Sequence, residues 1–168
     1  MWTTEAIGDS TATPAKVFAV LADPEHWHEW NDGVAGIRMN GPFAAGTAAV
    51  MLFPDATELP FTLAWVEQDR GFEDVTEVPT AGVTVHVRHE LEPTTTGTRI
   101  TYRCTVDGPD PTAGEVGAGV SADFADVIAA LSARAEHRSF ELGDSLLDKP
   151  NRQTVHRTTK LLLTQQQI

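Results

Sequence analysis

Apolar and polar residues alternate with period two through the middle of this chain and with a helical period on either side of it. Trp2 to Gly8 reads as an opening strand, ended by Gly8-Asp9-Ser10. Two short helices follow. Thr13-Pro14 and Asp23-Pro24 each place a capping side chain before a proline at the first helical position, where the missing N–H costs nothing. Asp23 precedes a proline and is driven out of the helical region, so the first helix must stop by Ala22.

Turn signals then recur at hairpin spacing. Val34–Asn40 is closed by Asn40-Gly41-Pro42, and Thr47–Phe53 by Pro54-Asp55. Phe61–Gln68 ends at Asp69-Arg70-Gly71, and Phe72–Val78 at Pro79 through Gly82. Val83–Glu92 ends at Pro93, and Thr98–Val106 at Asp107-Gly108-Pro109. Six strands joined by short links predict an antiparallel meander. Val83, Val85, Val87, His89 and Leu91 share one parity, as do Ile100, Tyr102, Cys104 and Val106, so one sheet face is apolar and the other solvated.

Helical period returns with Val116, Val120, Phe124, Val127, Ile128, Leu131 and Ala135. Thr112-Ala113-Gly114-Glu115 fits a capping box, while Gly114, Gly117 and Gly119 weaken the first turns and allow a late start near Ser121 or a bend. This helix must cover the apolar face of the sheet. Residues 141–168 read as a frayed extension or tail beyond a domain of residues 1–140; Leu142, Leu146 and Leu147 could extend the helix up to Pro150, and residues 151–168 are polar apart from Val155 and Leu161-Leu162-Leu163.

A formal net charge of −12 argues against nucleic acid or an anionic membrane surface as a partner. The charge is uneven: residues 1–133 carry 6 basic and 20 acidic side chains, residues 134–168 carry 6 and 4. A single cysteine, Cys104, excludes an internal disulfide framework. No basic-then-apolar leader and no apolar run near the ~20 residues of a membrane span is apparent, so the expected location is cytoplasmic.

The order strand, two helices, six-strand meander and long helix resembles the helix-grip fold of the START-like or SRPBCC superfamily, which includes the polyketide cyclase/dehydrase and lipid-transport group. Ala12 through Phe18, Leu21 through Trp27 with Trp30, His89 through Pro93 and Gly97 through Thr101 carry the resemblance over about residues 1–140. It implies an α+β fold of about seven strands gripping a C-terminal helix, with an apolar cavity between them. It also implies a possible activity, in which a poly-β-keto chain is folded for aldol closure and loss of water.

By parity, His89 and Tyr102 should face that cavity as acid/base and second hydrogen-bond donor, the alternative for His89 being a core or rim histidine satisfied by backbone. Phe61, Leu63 and Trp65 join them from the third meander strand, and Phe124, Ile128 and Leu131 from the helix. Trp27 and Trp30, at i and i+3, either close one end of the pocket or pack the core. Met51 and Phe53 lie on a strand of ambiguous parity, and Arg38, Asp32 and Glu67 are further charged candidates. His26 and His28 do not share a helical face, and no metal-ligand spacing, phosphate loop or dinucleotide fingerprint occurs, so neither metal nor cofactor is expected. The expected partner is a small hydrophobic ligand, polycyclic or acyl, bound by a monomer or homodimer. The alternatives are a non-catalytic carrier or sensor, and an interaction module that uses the basic tail.

Overall fold

The computed structural model describes residues 1–137; the extension expected at 141–168 lies outside the described residues. Seven strands form one antiparallel sheet: β1 (Trp2–Ser10), β2 (Gly36–Met39), β3 (Ala48–Leu52), β4 (Glu58–Glu67), β5 (Gly71–Val78), β6 (Val83–Thr94) and β7 (Gly97–Asp107). Their spatial order is β1-β7-β6-β5-β4-β3-β2. The meander therefore runs without crossover, and the opening strand closes its far side by pairing Trp2 with Val106 through to Ser10 with Thr98.

Between β1 and β2 lie α1 (Pro14–Leu21) and a 3-10 helix (Pro24–Glu29). Thr13 caps α1 by accepting from the Lys16 amide at 3.4 Å, and Ala22 ends it. The second start departs from expectation. Asp23 caps nothing, because its carboxylate is drawn 2.8 Å from Nδ1 of His26, and the tighter 3-10 turn results. His28 turns instead to the Glu25 carbonyl, so the two histidines are held apart.

The C-terminal helix is two segments, α2 (Asp110–Ser121) and α3 (Phe124–His137). The expected capping box at Thr112 does not form. Helix starts a residue earlier than Pro111, with Pro109 at the cap, because proline fits a first turn whose N–H groups are unpaired anyway. The break falls at Ala122-Asp123. On α2 Gly117 is the residue set against the ring of Trp2 on β1, while Val116 and Val120 are half-buried and pack on the core. Asp110–His137 is long and apolar enough to cross a membrane by length and composition. Here its apolar side is occupied, since both segments pack on β1 and β7 and α1 packs on α3. Phe124, Ile128, Leu131 and Ala135 are buried along that seam, each larger side chain contributing about 1.5–3 kcal/mol of burial.

Glu136 fastens the end of α3 to the sheet. One carboxylate oxygen accepts from the Thr11 amide at 2.8 Å, from Ser10 Oγ at 3.1 Å and from Ser132 Oγ at 3.2 Å. The Thr11 amide, with these hydroxyls, holds its pKa below the usual carboxylate value. Glu136→Ala should lower unfolding stability by about 1–3 kcal/mol, from the loss of a charge-assisted cluster, and Glu136→Gln by less. Because the folded-state pKa is depressed, the difference between native and Glu136→Ala should shrink as pH falls below the usual carboxylate range. Urea melts at pH 7 and pH 3 check both points.

Candidate functional site

The concave face of the sheet is set by the pairing register. Inward positions run His89–Tyr102, Val87–Cys104 and Val85–Val106 between β6 and β7, and Phe72–His89, Asp74–Val87 and Thr76–Val85 between β5 and β6. On β3 and β4 the inward pairs are Ala49–Phe61 and Met51–Leu59, which fixes the parity that the sequence leaves ambiguous and turns Met51 inward.

Across this face runs an unbroken row of rings. Trp27 stacks on Phe72 at 5.8 Å between centroids, Phe72 on His89 at 4.0 Å, His89 meets Tyr102 edge-on at 4.2 Å, and Tyr102 meets Phe124 at 5.6 Å. The structure thus brings His89, Tyr102, Phe124 and Trp27 into one row. Trp27 also donates from Nε1 to the Leu21 carbonyl at 3.0 Å, which ties the 3-10 helix to the end of α1. Trp30 packs half-buried against the same core. Leu63 and Leu131 are fully buried, and Ile128 sits over Gly8 of β1.

Trp65 is not in the row. A bulge between Leu63 and Trp65 inserts one residue into β4, so Leu63 pairs with Asp74 but Trp65 pairs with Glu73. One extra residue moves every later side chain to the opposite face. Trp65 consequently lies on the convex side beneath the Arg88 guanidinium, 4.0 Å from its ring centroid. Val66, paired with Phe72, takes the inward place. Arg88 in turn bonds Glu73 and Glu90, and Arg103 bonds Glu90 and Glu5, a charge ladder across the outer surface.

Asp74 is the polar group that the sequence reading overlooked. It shares parity with Phe72, Thr76 and Val78 and so points to the concave side. Its Oδ2 lies 3.8 Å from Nδ1 of His89. That distance exceeds a hydrogen bond, and Nδ1 of His89 is buried with no partner among the described residues. Burial raises the Asp74 carboxyl from 3.8 to about 7, with the Glu73 charge adding to the effect. Burial lowers His89 from 6.5 to about 3, only partly offset by the Phe72 backbone. The Tyr102 hydroxyl is pushed far above its ordinary value of 10, first by burial and then by the charges of Asp74 and Asp123. At neutral pH His89 and Tyr102 are therefore both uncharged, and Asp74 alone titrates near pH 7.

The sheet forks beside this cluster. β4 and β5 pair from Thr62–Val75 to Glu67–Gly71 only. Beyond that point Glu58–Phe61 follow β3, while Thr76–Val78 follow β6. A cavity of about 980 Å³ occupies the fork, with Met39, Ala49, Leu59, Phe61 and Val78 among its apolar walls. It lies apart from the space between sheet and helix, because α2 and α3 pack on β1 and β7 while its walls come from the ends of β2 to β5. Of the expected pocket residues, Phe61 lines it; the ring row begins further in, along Val78–Thr76–Asp74 on β5. Arg38 and Glu58 stand at its rim as a two-point ion pair at 2.9 and 2.8 Å, while Asp32 and Glu67 are exposed elsewhere.

Solved structures with this architecture include protein MLL2253 from Mesorhizobium loti, with 17% identity over 81% of this chain and 98% of that one, and a TM-score of 0.68. The di-domain ARO/CYC StfQ from the steffimycin biosynthetic pathway matches at 15% identity over 82% of this chain and 51% of its own, TM-score 0.65. A norcoclaurine synthase point mutant from Thalictrum, in complex with a transition-state analogue, matches at 15% identity over 82% and 96%, TM-score 0.65. These likenesses establish the helix-grip fold. No curated protein matches the chain in sequence. Residues 1–136 match the polyketide cyclase / dehydrase and lipid transport family, and the chain belongs to that family.

Proposed function

We propose that the protein binds a small hydrophobic ligand, polycyclic or acyl, on the concave face of its sheet, and that the ligand reaches this face through the fork between β4 and β5. The observation that carries the reading is the 980 Å³ cavity at the fork, walled by apolar side chains and continuous in register with the inward row Val78–Thr76–Asp74. Concave, mostly apolar sites with a few convergent polar groups are the usual form of a small-molecule site. Family membership and the likeness to StfQ and norcoclaurine synthase support the same reading.

The polar groups favour chemistry on that ligand over mere carriage. Aldol closure and loss of water need one group that takes a proton from carbon and gives one to a departing hydroxyl near neutral pH. Asp74, at about 7, is suited to that exchange; His89, at about 3, stays neutral and serves as a hydrogen-bonding and stacking group. The role of proton shuttle thus passes from His89 to Asp74, with Tyr102 as a neutral hydroxyl beside them.

Nile red, a neutral apolar dye, should bind saturably with one site per chain and brighten on binding. Leu59→Arg, a half-buried wall position of the cavity, should weaken this binding at least tenfold while leaving the circular dichroism spectrum unchanged. Absence of saturable binding, or binding indifferent to Leu59→Arg, would remove the basis for this site. Native mass spectrometry of freshly purified protein provides the companion measurement, with a defined small-molecule adduct as the expected result.

A further inference from the structure

The geometry points to a neutral ligand whose polar end is a hydroxyl, as in an alcohol, phenol or enol, bridging Asp74 and Nδ1 of His89, with the carboxylate of the same skeleton rejected. This rests on the reading of the concave face as a ligand site.

Two buried polar groups stand 3.8 Å apart, too far to satisfy each other, and Nδ1 of His89 is otherwise unpartnered on a side chain only 10% exposed. A buried nitrogen left without a partner costs roughly 1–3 kcal/mol, so the site is incomplete as it stands. A single oxygen at ordinary hydrogen-bond lengths of about 2.8 Å from each atom spans that gap. Asp74 is the more open of the two, with 21% of its side chain exposed.

The chemistry of the bridging atom follows from what surrounds it. A hydroxyl has one proton to give and lone pairs to accept with, so it bridges a protonated Nδ1 and an ionised Asp74, and it bridges either imidazole tautomer when Asp74 is protonated. A carboxylate only accepts, and it would bring a negative charge against Asp74. Nothing on this face compensates such a charge: among the described residues no inward position of the seven strands carries Lys or Arg. The cation at the rim is already spent, since two nitrogens of Arg38 hold both oxygens of Glu58. Glu77 adds a further acid to the same rim, and its own carboxylate accepts from Thr84 Oγ. A buried anion without a paired cation is strongly disfavoured.

Two probes with one ring system separate these cases: 1-pyrenemethanol and pyrene-1-carboxylate, titrated by pyrene fluorescence at pH 7 against the whole chain. The alcohol should bind at least tenfold tighter than the carboxylate. Asp74→Asn, which keeps a hydrogen-bonding group and removes the charge, should hold the alcohol within about threefold and cut the discrimination. Asp74→Leu should lose the preference altogether, and His89→Phe should weaken the alcohol but not 1-methylpyrene, with each fold checked by circular dichroism. Equal affinity for the two probes in the native protein, or full discrimination retained by both Asp74 variants, would overturn the hydroxyl assignment while leaving the cavity reading intact. Failure of all three pyrenes and of Nile red to bind would overturn both.

Discussion

At pH 8 the Asp74→Asn protein should be more stable than the native one, by about 2–4 kcal/mol, and that gain should be gone by pH 4. The native carboxyl titrates at about 7 when folded and near 3.8 when unfolded. Between those values the folded state holds a proton that the unfolded state has released, so native stability falls as pH rises from about 4 to about 7. A separation of about three units corresponds to about 4 kcal/mol, and the cost of burying the replacement amide lowers the net gain. His89 acts with the opposite sign. Its folded value of about 3 lies below the unfolded 6.5, so it destabilises the fold as pH falls through that window. From pH 4 to 6.5 the two effects oppose each other and the native curve should be nearly flat. Removing one partner uncovers the other: Asp74→Asn should lose stability on acidification below pH 6.5, and His89→Phe should lose it as pH rises from 4 to 7. Urea midpoints at half-unit pH steps measure this directly, and parallel curves for all three proteins would show that the pair is not buried together. A pair this costly to the fold, in which the His89 nitrogen is left orphaned, is better suited to a binding role than to a packing role.

The strands and their order were legible because each depends on local signals. Gly-Pro and Asp-Gly turns separate the meander, and the alternation from Val83 to Leu91 and from Ile100 to Val106 fixes both faces of β6 and β7. What stayed hidden depends on pairing between strands rather than on any one strand. Trp65 follows Phe61 and Leu63 at steps of two, and only the bulge opposite Asp74 and Glu73 reveals that it has changed sides. The fork between β4 and β5 leaves no mark in either segment, so the cavity at these strand ends could not be read from them. Asp74 was within reach of sequence reasoning, since Phe72, Asp74, Thr76 and Val78 share a parity whose other members are apolar or small. An acidic residue among neighbours Glu73 and Glu77 reads as surface until its parity is counted. The helical glycines were legible as weakness but not as purpose.

That purpose sets the second large expectation. Gly117→Val should destabilise the protein by about 3 kcal/mol or more, and Trp2→Ala should relieve much of that loss. A Cβ at Gly117 would come within 2.1 Å of Cε3 of Trp2, closer than any real contact, whereas one at Gly114 would rest at an ordinary 3.7 Å. The indole of Trp2, at the start of β1, thus lies against the bare backbone of α2, and the glycine spends roughly 1 kcal/mol of helix propensity to admit it. Valine there has two ways out, and both are costly: α2 lifts off the sheet, or the half-buried indole swings into solvent. Over-packing of this kind costs about 1–3 kcal/mol even when the neighbours can shift, and displacing Trp2 puts its pairing with Val106 at the start of β1 at risk as well. Trp2→Ala alone removes a large half-buried ring and should also destabilise, so the informative quantity is the double variant. If the two residues meet as described, the double-variant loss is smaller than the sum of the single losses by at least about 1 kcal/mol. Additive losses would mean that α2 reaches the sheet by some other contact. The same cycle bears on the open end of the grip, because a helix held down at Trp2 over β1 and β7 is what leaves the fork at β4 and β5 uncovered.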